Sequence, residues 1–273
     1  MESYSYSRIK SFYNCKYYYY MNYLLPNEEK PYKLSHGTSE FGSFVHDILE
    51  KYGKGQIKPQ DALDYYKEHY TENVVSDFTL YMTETFHKDF SEKYYEDGLE
   101  FFRAFNGIKD IRILEAEKQF ELPYKNKFLI NGKIDVVGVD KSGNLCIIDY
   151  KSKSGFKSKA EREDYSKQLY TYAWAFLEEM KDEAKWNEFK EKYGVPDLDK
   201  NTIKLAFYMF RKDKWVWIDF DKNKMQEVLN WMEESVDEIS NEMFFDPIPE
   251  IETGEFNFYC KNFCSFRESC KYK

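Results

Sequence analysis

Near the middle of the chain, the stretch CIIDYKS (residues 146–152) carries Asp149 and Lys151 on either side of Tyr150, at the end of an apolar run. In an extended strand, residues i and i+2 share a face, so Asp149 and Lys151 point one way and Tyr150 the other. A carboxylate with an ammonium beside it can help hold a divalent cation while the ammonium orients a water or neutralises charge developing on a phosphate. Taken alone, Asp-x-Lys is equally well an apolar strand reaching solvent. The residues upstream change the balance. GKIDVVGVDKSGNLCIIDYK reads as two β-rich runs joined by the turn-rich Asp140, Lys141, Ser142, Gly143 and Asn144. A hairpin centred on Ser142 sets Asp135 opposite Asp149 and Lys133 opposite Lys151. Facing carboxylates destabilise a purely structural sheet by roughly 0.2–1 kcal/mol, and a bound Mg2+ or Mn2+ offsets that repulsion.

Two further groups can do chemistry. From Lys151 to Lys167 the cations Lys153, Lys157, Lys159 and Arg162 follow the acidic pair, interleaved with Glu161, Glu163 and Asp164. Considered alone this is a solvated loop; following the acidic pair, it is a candidate phosphate track. Four of the five cysteines lie toward the two ends: Cys15, and Cys260, Cys264 and Cys270 in the pattern C-x3-C-x5-C. Four thiolates can hold zinc or an iron-sulfur cluster, and spacing alone does not choose between them. Cys146 reads as a small core residue.

These residues need a scaffold to position them. The chain has 273 residues, 42% of them hydrophobic and 19% aromatic, enough for one globular domain over 1–273 with a sizeable core. Net charge is −9, which excludes a uniformly basic nucleic-acid binder but not a local basic patch. No run approaches the roughly 18 apolar residues of a membrane span, and MESYSYSRIKSFYNC lacks the apolar core of a signal peptide. A cytoplasmic, membrane-independent protein without a disulfide framework is expected.

SYSRIKSFYNCKYYYYMNYLL reads as one aromatic-rich helix around Cys15 that ends near Pro26. SEFGSFVHDILEKYGKG reads as a second, with Phe41, Phe44, Val45, Ile48 and Leu49 as its buried stripe, His46 beside it and Gly53 at its stop. Residues 55–110 keep a charged helical pattern, read as a helical insertion of little functional signal. Strands follow in RILEAEKQFELPY, KFLINGKIDVVGV and NLCIIDYKS. DYSKQLYTYAWAFLEEM is a helix that places Gln168 and Tyr172 on one face, TIKLAFYMFRKDKWVWIDFD a hairpin, and KMQEVLNWMEESVDEISNEM a helix. The tail 244–273 is irregular and carries the cysteine cluster. The class is α/β, a small mixed sheet flanked by helices.

In chain order the candidates stand as FVHDILE, GKIDVV, IDYKS and QLYTY. In that order they resemble the PD-(D/E)xK nuclease superfamily, of the RecB type. The resemblance implies a restriction-endonuclease-like core. It also implies an active site in which His46, Asp135, Asp149 and the carbonyl of Tyr150 bind Mg2+ or Mn2+, Lys151 positions the nucleophile, and Gln168 and Tyr172 hold Lys151 or the DNA backbone. The cysteines extend it. The AddB nuclease domain and the Cas four family of CRISPR-adaptation exonucleases hold a [4Fe-4S] cluster with one N-terminal and three C-terminal cysteines. By resemblance Cys15, Cys260, Cys264 and Cys270 are its ligands, tying the tail to the N-terminal helix, although C-x3-C replaces the family's usual C-x2-C.

The leading expectation is therefore a metal-dependent DNA exonuclease acting on single strands or ends, in recombination, repair, phage DNA processing or CRISPR adaptation. A helicase or CRISPR-adaptation protein is its expected partner. The alternatives are a DNA-binding or scaffold subunit that keeps the fold without cutting, and a zinc-stapled protein of unrelated activity. Neither needs a repelling pair of carboxylates.

Overall fold

In the computed structural model residues 1–247 and 256–272 are described. The chain builds helical layers on both faces of a six-stranded mixed sheet, the α/β architecture expected. Its spine is the hairpin read from sequence: β4 (Ile111–Tyr124), β5 (Phe128–Asp140) and β6 (Asn144–Lys151). β5 pairs antiparallel with β4 along one edge. Its other edge is shared, with β1 (Ser3–Tyr4) parallel to Leu129–Ile130 and β6 antiparallel to Val136–Val139. β6 then pairs parallel with β7 (Asp199–Met209), which turns back into β8 (Lys214–Asp219).

A parallel pair requires a crossover. It is supplied by α6 (Lys159–Glu179) and α7 (Glu183–Tyr193), the second of which the sequence reading missed. α6 packs with α1 (Tyr6–Asn14) and α8 (Lys222–Asn241) over one face, around Ile9, Phe12, Leu169, Phe176 and Val236. The opposite face is covered by α3 (Gly37–Gly53), whose Phe41, Phe44, Val45, Ile48 and Leu49 are all buried as the 3.6-residue spacing requires. α4 (Ala62–Asn73) and α5 (Ser91–Ala104) share that apolar cluster with Ile148, Tyr150 and Tyr208 of the sheet. The 55–110 stretch thus contributes to one layer of the core. It also holds a small hairpin that helical periodicity did not reveal, β2 (Leu80–Tyr81) with β3 (His87–Lys88).

The N-terminal aromatic stretch is not one helix. α1 stops at Asn14 and Cys15 takes an extended conformation, with its sulfur accepting from the Tyr18 N–H at the start of α2 (Lys16–Tyr19). The thiol thereby sits at a break between two helices instead of on a continuous helix surface. Of the tail, the short α9 (Phe258–Asn262) carries Cys260; residues 248–255 and 273 lie outside the described residues.

Candidate active site

The strand register is the one a hairpin centred on Ser142 demands, with Val136 facing Ile148 and Val139 facing Leu145. Pairing ends there. β6 continues along β7 as far as Lys151 opposite Met209, while β5 stays with β4, so the two strands part into a fork. At its apex the Asp135 carboxylate accepts the Tyr150 N–H at 2.7 Å, in place of the missing ladder bond. Asp135 is 7% exposed and Asp149 2%. Burial pushes the Asp135 carboxyl well above the ordinary carboxylate range, and the neighbouring Asp149 pushes it further. Burial also raises Asp149, against the pull of Lys151.

Lys133 does not face Lys151, as the extended register implied. Beyond the fork β5 pairs only with β4 in this stretch, so Lys133 lies opposite Gln119 and its ammonium pairs with Glu117.

Lys151 is held from two sides. Its Nζ lies 2.6 Å from Asp149 Oδ2 and donates to Gln168 Oε1 at 3.0 Å. Gln168 Nε2 donates in turn to the Tyr172 hydroxyl at 2.7 Å. The i, i+4 spacing on α6 therefore makes the relay that orients the ammonium. Gly132 in GKID makes room for it: a Cβ there would stand 2.7 Å from Phe120 Cζ and 3.3 Å from Tyr172 Cε1.

His46 reaches the fork from α3, Nδ1 at 3.6 Å from Asp135 Oδ2. Burial first, then Lys151 and Lys133, push its imidazole down to about 4, although the Tyr150 carbonyl against the ring favours the charged form. At neutral pH the ring is uncharged, the state that binds a metal. Sequence reasoning missed Glu117. It stands opposite Asp135 between the paired Ala116–Val136 and Lys118–Ile134, with a left-handed φ of 55° and 8% exposure. One unbroken register from Tyr124–Phe128 to Glu115–Val137 sets Glu117 opposite Asp135, so the glutamate is placed by the pairing of β4 with β5 and carries no motif of its own. Donor atoms of His46, Glu117 and Asp135 all lie within 4.8 Å of one another. Asp149 stands beside this trio, one oxygen turned to Lys151. Two hard carboxylates and a neutral imidazole, among carboxyls that burial raises, fit a divalent cation such as Mg2+ or Mn2+.

The fork opens into a cleft of about 840 Å³. Lys153 and Lys157 line it; Lys159 and Arg162 are not among its lining residues. Lys153 pairs with Glu161 and the exposed Lys159 with Glu163, so only the near half of the expected basic track reaches the cleft. Arg211 also lines it, with its guanidinium on Asp97 of α5, a residue pair that the sequence reading did not single out.

The four terminal cysteines come together. Burial, then Cys264, Cys15 and Cys270, push the Cys260 thiol up to about 12. Burial brings Cys264 to about 11, with Cys270 and Cys15 adding to it. Around them Met21 and Phe266 form a small apolar cluster with Tyr17 and Tyr18. The Leu34 N–H donates to the Ser265 carbonyl at 2.8 Å.

Comparison with known proteins adds to this geometry. The chain is 26% identical over 163 residues to a subunit of the ATP-dependent helicase/deoxyribonuclease of Streptococcus pyogenes, covering 59% of this chain and 15% of that protein. It is 26% identical over 214 residues to the like-named protein of Streptococcus agalactiae, covering 72% and 19%. The chain thus spans less than a fifth of the length of these relatives. A solved structure named "Putative exonuclease", from Eubacterium rectale, overlays with a TM-score of 0.47 at 12% identity, covering 90% of this chain and 85% of that one. The family model of the PD-(D/E)XK nuclease superfamily matches residues 3–271, and the chain belongs to that superfamily, a nuclease by class.

Proposed function

We propose that the chain is a metal-dependent deoxyribonuclease that degrades single strands or DNA ends as an exonuclease, with the fork as its active site. The observation that carries this reading is the convergence at one strand divergence of Asp135, Asp149 and Lys151 with His46 and Glu117. Relatives named as helicase/deoxyribonuclease subunits support DNA as the substrate and a helicase as the partner.

His46, Glu117 and Asp135 would hold the ion, with Asp149 and the Tyr150 carbonyl alongside; when bound, it supplies Lewis-acid polarisation of the phosphate and a water of lowered pKa. The chain's own contribution is positional. Lys151, fixed between Asp149 and Gln168, holds the attacking water in line and neutralises charge that grows on the phosphate. The relay from Tyr172 through Gln168 keeps that ammonium from collapsing onto Asp149 alone. Lys153 and Lys157 take the flanking phosphates. Cys15, Cys260, Cys264 and Cys270 hold a [4Fe-4S] cluster that staples the two ends of the domain. Four thiolates serve either a zinc ion or an iron-sulfur cluster; the resemblance to cluster-bearing members of the superfamily is what favours the cluster.

The test is degradation of end-labelled single- and double-stranded DNA with Mg2+ or Mn2+, an EDTA control and Lys151→Ala alongside. Metal-dependent cutting by the wild type, lost by a factor of at least about 10³ in a folded variant, is expected. Wild-type rates in Lys151→Ala refute the assignment. No cutting by folded, metal-replete wild type favours a DNA-binding subunit instead.

A further inference from the structure

The cleft lining mixes two chemistries. Lys133, Lys153, Lys157 and Arg211 supply cations, and Leu80, Tyr94, Phe258 and Phe263 supply apolar surface, the last two from the cysteine-bearing tail; Arg211 lies over the Tyr94 ring at 3.9 Å. Nothing in the metal chemistry uses Phe258 or Phe263. Phe258 is 39% exposed, so its ring contributes little to a core. It is nevertheless held firmly. Its ring meets Phe263 edge-on with centroids 5.8 Å apart, and Phe263 meets the buried His36 ring at 5.2 Å.

The support beneath these rings is hydrogen-bonded to the rest of the molecule. Asn262, 2% exposed, accepts the Tyr81 N–H at 2.6 Å and donates to the Tyr81 carbonyl at 2.9 Å, as a neighbouring strand would. Lys261 places its ammonium 5.1 Å from the centre of the Tyr81 ring. An aromatic ring fixed in a cleft that lysines also line matches how proteins grip single-stranded nucleic acid: phosphates on the cations, unstacked bases on the rings. A duplex keeps its base faces covered and offers nothing to such a ring.

We propose that Phe258, braced by Phe263, is a base-stacking platform that takes one unstacked base of a single strand whose phosphates follow Lys153 and Lys157 toward the fork. This rests on the nuclease reading of the cleft, and it assigns strand choice to the tail instead of to the metal-binding residues.

The test is fluorescence anisotropy with labelled oligothymidylate and with an abasic chain of equal length, in Ca2+, compared across Phe258→Ala, Phe258→Leu and Phe258→Trp. Stacking predicts that wild type prefers oligothymidylate and that Phe258→Ala loses about tenfold on it, the scale of one lost base–aromatic contact, with no change on the abasic chain. Leucine fills the same space without a π face and should behave like alanine; tryptophan should match or exceed the wild type. Equal losses on both chains, wild-type binding by Phe258→Leu, or no wild-type preference for bases each overturn the proposal. If Phe258→Ala fails to fold, the Leu and Trp pair decides the question. Cleavage is read separately with Mn2+: a wild type that binds with base preference but never cuts refutes the nuclease reading and leaves the platform standing.

Discussion

Asp135 and Asp140 lie on the same strand, β5, and their carboxyls are driven in opposite directions. At the turn, Asp140 is raised by burial, but hydrogen bonds from Lys204 and Asn144 outweigh it and bring it down to about 2. Its oxygens accept from the Ser142 and Asn144 N–H groups, each at 2.9 Å, and from Lys204 at 2.7 Å. At the fork, Asp135 has one backbone N–H and a second buried carboxylate for a neighbour. One carboxylate is saturated and stabilises the hairpin; the other is left wanting a cation. A single supersecondary unit therefore separates folding from chemistry, with its well-satisfied end holding the strained end in register.

That contrast can be broken or sharpened by mutation. Asp135→Asn should reduce metal-dependent cleavage by about 10³-fold or more, yet raise the melting temperature of the metal-free protein, because it removes the repulsion with Asp149. A lower melting temperature in EDTA would contradict the electrostatic account. Glu117→Gln should reduce cleavage by about ten- to a hundredfold and raise the metal concentration for half-maximal rate; unchanged metal titration would remove Glu117 from the ligand set. Asp140→Asn should act the other way round, leaving cleavage intact while costing about 1 kcal/mol of stability after allowance for solvent screening. Because the Asp140 carboxyl titrates lower in the folded state than in the unfolded chain, its contribution is present above about pH 4 and is lost as pH falls toward 2. Acid titration of stability should show that loss in the wild type and not in the variant. The smallest effect is expected from Tyr172→Phe, which frees Gln168 Nε2 without touching Lys151 and should slow cleavage by about two- to fivefold with little change in KM.

The same hairpin shows what could be read in the sequence. Turn residues around Ser142 set the register, and alternation put Asp149 and Lys151 on one face; both follow from local rules, and the structure keeps both. The helical spacing of Gln168 and Tyr172 was legible for the same reason. Glu117 was not, because its place opposite Asp135 comes from the pairing of β4 with β5, which no motif in the chain announces. Nor was the point at which β5 and β6 part, since β5 keeps its pairing with β4 and β6 its pairing with β7 beyond it. The break at Cys15 and the hairpin at Leu80–Lys88 were hidden too: the first sits inside an otherwise helical pattern, and the second has strands of only two residues. Tertiary partners, absent from any local window, decide such features.

The clasp between Asn262 and Tyr81 joins positions 181 residues apart. A ribosome adding roughly 5–20 residues per second needs about ten to forty seconds to cover that distance. Throughout that interval the Tyr81 N–H and carbonyl wait for Asn262, and from the addition of Lys151 onward the growing chain carries its acidic fork residues without Phe258 and Phe263. Completion of the cleft lining is thereby deferred until Phe258 and Phe263 have been added, a schedule written into the order of the residues.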